Sequence, residues 1–166
     1  MEIRHSTLED LNAIMYLVNE AKSYFKEHDI DQWQDGYPNE DSFKEDIKNQ
    51  HSYVLVDQEK IIGTMYSAIE SEPAYADIKN GKWLTDTPYG VVHRVVVEAS
   101  YKGHGLANLL LEYAEDQLRD LHVKSIRMDT HQDNKSMQRF LKKNGFIYCG
   151  EISYENAPRI AFEKIL

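Results

Sequence analysis

Cysteine is nearly absent. Cys149 is the only one in 166 residues, which excludes an internal disulfide framework and disfavours a cysteine-based zinc site. The chain holds 4 prolines and 8 glycines, with no internal repeat and no low-complexity tract. No apolar run reaches the roughly 18–20 residues of a membrane span. The opening MEIRHSTLED lacks the apolar core of a signal peptide, so a cytoplasmic chain is expected. Positive charge is in deficit: 19 Lys and Arg stand against 28 Asp and Glu, a net charge of −9. That disfavours nucleic acid and anionic membranes as partners.

What is present suits a packed core: 42% of residues are hydrophobic and 28% charged, in a length that fits one domain over 1–166. The charge is uneven. Residues 1–100 carry 9 basic and 19 acidic side chains, whereas 101–146 carry 8 and 6, so an anionic ligand finds its better electrostatic home in the later stretch.

Apolar spacing predicts the element order. Ile3–His5 reads as a strand. Leu8, Leu11, Ile14, Val18, Ala21 and Phe25 recur at helical spacing behind Thr7 and Asp10. A second helix is expected over Ser42–Lys48, strands over Ser52–Val56 and Ile61–Ile69, and a long loop over 70–88. Tyr89–Val97 is a β-branched strand, Gly105–Leu121 a helix, and Ser125–Thr130 a strand alternating Ile126 and Met128 with Arg127 and Asp129. Asn134–Asn144 is a helix closed by Gly145, and Phe146–Ile152 and Arg159–Ile165 are the last strands. The class is α/β (α+β): a mixed, mostly antiparallel twisted sheet of six to seven strands flanked by about four helices.

The stretch VVHRVVVEASYKGHGLANLLLEYAEDQL carries the chemistry. A strand runs through a short loop with Gly103 and Gly105 into an amphipathic helix. Glycines let backbone N–H groups approach a ligand closely, and those at a helix N-terminus favour an anion. Lys102 adds a full positive charge. The predicted ligand is a phosphate or pyrophosphate. The P-loop pattern GxxxxGK[ST] and the dinucleotide pattern GxGxxG are both missing.

Lys102-Gly103-His104-Gly105-Leu106-Ala107 resembles the acetyl-CoA loop of the GNAT superfamily of N-acetyltransferases, whose pattern is Gln or Arg, two residues, Gly, one residue, then Gly or Ala. Lys102 replaces the Gln or Arg, while Gly105 and Ala107 match. The preceding strand, the following helix and Asn134…Gly145-Phe146 also resemble the family, over the full chain. The resemblance implies that the amides of Lys102 to Ala107 hold the pyrophosphate of acetyl-CoA. It further implies that His93–Val97 splays from Ser125–Thr130, with the pantetheine arm bonded near Val95, Val96 and Val97. One such amide would stabilise the oxyanion of acyl transfer. Asn134 matches the pantetheine-side asparagine, Met137 and Phe140 would lie along the cofactor, and Lys143, with Arg139 and Lys142, would face the 3′-phosphate.

The implied activity is N-acetylation of a primary amine on a small molecule or peptide, by direct attack in a ternary complex, with no metal. An acyl-CoA-binding sensor domain without turnover is the alternative. Many members place a general-acid Tyr four residues before the Gly-Phe pair, where this chain has Leu141; Tyr148 and Tyr154 are substitutes. The Glu base of the histone type falls on Val91. A His in the arylalkylamine type matches His93, and an imidazole titrates at about 6.5 in water, suiting proton relay. Glu72, with Glu70 nearby, is the other candidate base, through a water. Trp33, Tyr37, Tyr75 and Trp83 lie in aromatic-rich loops of the kind that line concave sites, and are candidate acceptor contacts. Asp129, His131 and Asp133 read as loop-edge residues, and Cys149 as a buried structural thiol. A homodimer through the C-terminal strand is left open.

Overall fold

The computed structural model describes residues 1–166. Its seven strands are β1 (Glu2–His5), β2 (Ser52–Asp57), β3 (Lys60–Ile69), β4 (Gly90–Val97), β5 (Ser125–Thr130), β6 (Ile147–Tyr154) and β7 (Ala157–Ile165). Its α-helices are α1 (Leu11–Glu27), α2 (Glu40–Lys48), α3 (Leu106–Asp120) and α4 (Lys135–Lys143). The strands form one sheet in the order β1-β2-β3-β4-β5-β7-β6. β1 with β2, β2 with β3, β5 with β7 and β6 with β7 are antiparallel. β4 runs parallel to β5 over Gly90↔Ile126 and Val91↔Arg127. The predicted class and element order hold. No helix is long and apolar enough to cross a membrane.

Several element boundaries shift by one to three residues from expectation, and two departures have a local physical reason. α2 starts at Glu40 rather than Ser42, because Asn39 caps it: its Oδ1 accepts from the Ser42 N–H at 3.0 Å, and Ser42 Oγ accepts from the Asn39 N–H at 3.3 Å. This reciprocal cap uses Ser where Glu is usual. The 70–88 loop holds a short 3₁₀ turn over Pro73–Asp77, with Glu72 at its N-cap.

The chain forms two compact units. The first comprises Met1–Ser67 with His93–Ala114, the second Ala68–Val92 with Glu115–Leu166. In the first, Leu11, Ile14 and Val18 of α1 pack with Phe43 of α2 and Val54 of β2, flanked by Met15, Trp33, Val56 and Ile61. Ile14, Val18 and Val54 are fully buried, each contributing about 1.5–3 kcal/mol of transfer free energy. Ahead of α1, Arg4 grips Asp10 through Nη1 and Nη2 at 2.8 and 3.0 Å, and this bond to Arg4 holds the Asp10 carboxyl below the usual carboxylate range.

The second unit is built on the β5–β7–β6 ladder, from Ser125↔Ile165 to Thr130↔Ile160 and on to the Tyr154↔Ala157 turn. Its interior is polar where alternation along β5 predicts an exposed face. The Arg127 side chain is 6% exposed and its partner Glu163 is fully buried. Glu163 accepts from Arg127 Nε at 3.2 Å, the Leu84 N–H at 2.6 Å, Thr85 Oγ1 at 2.5 Å and Ser125 Oγ. Arg127 lies against the rings of Trp83 and Tyr89, 4.2 and 3.9 Å from their centroids. The aromatic loop therefore covers the charged face of β5.

Candidate active site

The glycine loop lies in the first unit. β4 ends at Val97, and Glu98 then anchors the turn: its N–H donates to Ile62 O at 2.9 Å, and its Oε1 accepts from Lys60 Nζ at 2.7 Å and Ser100 Oγ at 2.9 Å. A 3₁₀ turn over Ala99–Tyr101 follows. Lys102 to Gly105 are exposed, while Leu106, the first residue of α3, is buried. Gly103 and Gly105 sit at φ +84° and +75°, and a Cβ at either would meet no atom within 4 Å. Left-handed backbone is costly for any residue with a Cβ, so the open space above the loop is edged by bare backbone. Leu109 N–H donates back to Gly105 O at 3.1 Å, which starts α3 at the loop. The Lys102 ammonium rests 4.3 Å from the ring centre of Tyr24. The arrangement fits a phosphate-bearing cofactor: bare backbone at a helix N-terminus with a cation beside it.

Upstream on β4, His93 is half-buried, with its ring 5.6 Å from that of Tyr66 on β3. The Tyr66 hydroxyl lies 3.1 Å from His51 Nδ1. Arg94 has φ +53°, a left-handed residue inside a strand. Its side chain is 7% exposed, and Nη2 lies 2.7 Å from Oδ2 of Asp46 on α2. The rings of Phe43, Tyr66 and Tyr37 stand 5.1, 5.1 and 5.7 Å from its Cζ. Burial pushes the Asp46 carboxyl above its ordinary range, against the pull of Arg94, His51 and His93. Of this Arg94 cluster, only Tyr37 is among the predicted site residues. The one sequence signal for the rest is an Arg inside the apolar run VVHRVVV, since charged residues are seldom buried unless paired.

Val96 of the predicted cofactor strand is buried and Val95 and Val97 are half-buried. Trp33 packs on the first unit's core and meets Phe25 edge-on at 5.5 Å. Tyr37 is 49% exposed.

In the second unit, Glu72, Tyr75 and Trp83 share one aromatic cluster. The Glu72 N–H donates to Tyr89 Oη at 3.0 Å, and Glu72 Oε1 accepts from the Ala74 N–H at 3.2 Å. Tyr75 is 1% exposed; its hydroxyl donates to Asp129 Oδ1 at 2.6 Å, and Trp83 Nε1 donates to Tyr75 O at 2.8 Å. Tyr154 also donates to Asp129 Oδ1, at 3.0 Å. Burial first, then the Asp129 charge, pushes both phenols well above their ordinary range. Asn134 is buried and its Oδ1 caps α4 by accepting from the Met137 N–H at 3.1 Å. Met137 and Phe140 are half-buried and Lys143 is exposed. Leu141 is fully buried. Cys149 is buried, and its thiol is pushed up by burial.

The family model described as acetyltransferase (GNAT) matches residues 13–146. The chain belongs to that family. A solved GNAT-family acetyltransferase of Streptococcus agalactiae is 31% identical and covers 99% of this chain and 95% of its own, with a TM-score of 0.89. A solved Staphylococcus aureus chain is 30% identical, covers 99% of each, and has a TM-score of 0.77. A 58-residue stretch is 33% identical to N-alpha-acetyltransferase 30 of Saccharomyces cerevisiae, spanning 35% of this chain and a third (33%) of the yeast protein. The GNAT match contains the glycine loop, β4 and α4.

Proposed function

We propose that this GNAT member transfers the acetyl group of acetyl-CoA to a primary amine of a small molecule or peptide, in the cytoplasm and by direct attack. The observation that carries the reading is the exposed loop at the start of α3, where two left-handed glycines leave bare backbone beside Lys102. Acetyl-CoA supplies the activated acetyl thioester. The amides of Lys102, Gly103, His104, Gly105, Leu106 and Ala107 bind its pyrophosphate, and the backbone of Val95 to Val97 binds its pantetheine arm. The family resemblance gives Asn134, Met137, Phe140 and Lys143 cofactor-binding roles as well.

The acceptor must lose a proton to attack. His93 is the proposed base. The Tyr66 ring packs 5.6 Å from that of His93, and the Tyr66 hydroxyl lies 3.1 Å from His51 Nδ1. Glu72, through a water, is the other candidate. Tyr37 and Trp33 are proposed acceptor contacts of the first unit, and Trp83 of the second. Tyr75, fully enclosed with its hydroxyl on Asp129, acts by packing. Tyr154 is the substitute acid that the sequence offers where Leu141 has no proton, but its hydroxyl already donates to Asp129 Oδ1 and burial holds that proton more tightly than in an ordinary phenol.

Free-thiol release from acetyl-CoA, screened over polyamines, arylalkylamines, amino acids, aminoglycosides and peptides, tests the reading. Turnover with one amine class that falls at least 100-fold in His93→Ala supports transfer with His93 as base. Turnover that survives moves the base to Glu72 or solvent. Tight acetyl-CoA binding without turnover on any amine leaves either an acceptor outside the panel or the sensor alternative that Leu141 keeps open.

A further inference from the structure

Arg94 carries two costs at one residue. Its backbone is left-handed in the middle of a strand at φ +53°, which an L-residue with a Cβ adopts only under constraint. Its guanidinium is buried, and Nε and Nη1 meet no hydrogen-bond acceptor. Buried donors left unspent are destabilising, more so on a charged group, and the three surrounding rings offset this only in part. Such departures collect where a ligand is bound.

The position of the unspent donors narrows the ligand. Nη2 is committed to Asp46 at 2.7 Å. On the planar guanidinium, Nε–H and the Nη1–H bonds leave on opposite sides of the Nε–Cζ bond, and each fork that would grip a carboxylate also needs Nη2. The remaining donors therefore suit single oxygens. Charge agrees: Asp46 already balances Arg94, and a second carboxylate would leave the pocket with an excess negative charge. A neutral carbonyl oxygen adds none.

The rings that enclose the guanidinium differ in exposure. Phe43 is 2% exposed and Tyr66 9%, whereas Tyr37 is 49% exposed and sits in a loop rather than a helix or strand. The Tyr66 ring adjoins both the Arg94 guanidinium, at 5.1 Å, and the His93 ring, at 5.6 Å, which places the unspent donors one ring away from the proposed base.

We infer that Arg94 is a specificity-determining residue that donates to a carbonyl oxygen adjoining the reacting amine, so that the acceptor class is an amine next to an amide, as at a peptide N-terminus, rather than a polyamine or arylalkylamine. The inference rests on the transferase reading above. Tyr37 swings from the guanidinium as the carbonyl arrives, and Asp46 holds the arginine in place.

The test compares kcat/KM for alaninamide and isopropylamine, in the wild type and in Arg94→Lys. The lysine keeps a positive charge against Asp46. Differences in amine basicity cancel in the ratio of ratios. The preference for alaninamide is expected to fall at least 10-fold in the variant, the scale of one lost bond to a charged donor. An unchanged ratio overturns the inference while leaving acetyl transfer standing. Calorimetric titration of alaninamide into CoA-loaded protein separates the two readings: weakening of at least 10-fold in Arg94→Lys supports Arg94 even where no thiol is released. No binding to the wild type overturns the inference. Thermal melts check folding, and Arg94→Gln, which keeps one amide donor, replaces the lysine variant if that one fails to fold.

Discussion

Each unit buries one arginine against one carboxylate within an aromatic surround, and the two pairs differ in every other respect. In the second unit, Glu163 accepts from five donors, and Arg127 spends Nη2 on Thr85 O at 2.6 Å while lying against two rings. In the first, Arg94 leaves Nε and Nη1 unspent and Asp46 Oδ2 has no well-aligned donor. The carboxylates register the contrast. Burial raises both, but the bonds from Ser125, Thr85 and Leu84 bring Glu163 below its ordinary value, while Asp46 stays above. A buried ion pair stabilises only when its remaining lone pairs and protons are satisfied. The Glu163 pair closes a fold; the Asp46 pair is held ready for something that completes it.

The largest expected effect tests the closed pair. Glu163→Ala removes the acceptor of five donors and takes the counter-charge from Arg127, which is 6% exposed at its side chain. Loss of one partner of a buried pair costs about 3–5 kcal/mol, read as a lowered urea midpoint. A loss near zero would mean that Thr85 O and the Trp83 and Tyr89 rings suffice to hold Arg127. Asp46→Asn is expected to cost less, about 1–3 kcal/mol, because ionised Asp46 already bears a burial penalty that the amide avoids. If Asp46→Asn proved as damaging as Glu163→Ala, the reading of the Asp46 pair as incomplete would fail.

The element order was legible because it follows local periodicity: the apolar face of α1, the β-branched β4, and the turn residues. The two ion pairs were not. Arg127 and Asp129 alternate with Ile126 and Met128 as solvent-facing residues do, and only the fold of the 83–89 loop over β5 buries Arg127. Asp46 has ordinary neighbours in a polar helix; Arg94 reaches it 48 positions on in sequence. The glycine loop was legible because its chemistry is contiguous, from Lys102 to Ala107. Sites assembled from distant segments leave only faint marks, such as one Arg in a valine run.

Acidity sharpens the comparison through opposite slopes. Glu163 has a depressed folded value, so its contribution is present above its unfolded value of about 4.3 and is lost as pH falls through the folded one. Asp46 has a raised folded value, so its contribution is present below about 3.9 and is lost as pH rises through the folded one. In urea melts from acid to neutral pH, the stability gap between the wild type and Glu163→Gln should widen, whereas the gap to Asp46→Asn should narrow. Parallel slopes would erase the electrostatic distinction between the pairs.

The smallest expected effect comes from a third pair that matches the Arg94 pair in distance and in the burial of its carboxylate, but not in the burial of its cation. Lys60 Nζ lies 2.7 Å from Glu98 Oε1, the separation found between Arg94 and Asp46, yet the Lys60 side chain is 59% exposed. Water screens such a pair, and ordering the long lysine chain offsets much of its attraction. Lys60→Met should therefore leave the melting midpoint unchanged within error. Glu98 keeps Ser100 Oγ at 2.9 Å and its own N–H on Ile62 O, so the turn into the glycine loop keeps its anchor. A clear drop in the midpoint would show that distance governs these pairs after all, and would count the Asp46 contact as structural in its own right. An unchanged midpoint, beside a measurable cost for Asp46→Asn, isolates burial as the variable and leaves the unspent donors of Arg94 as the feature that still requires a ligand.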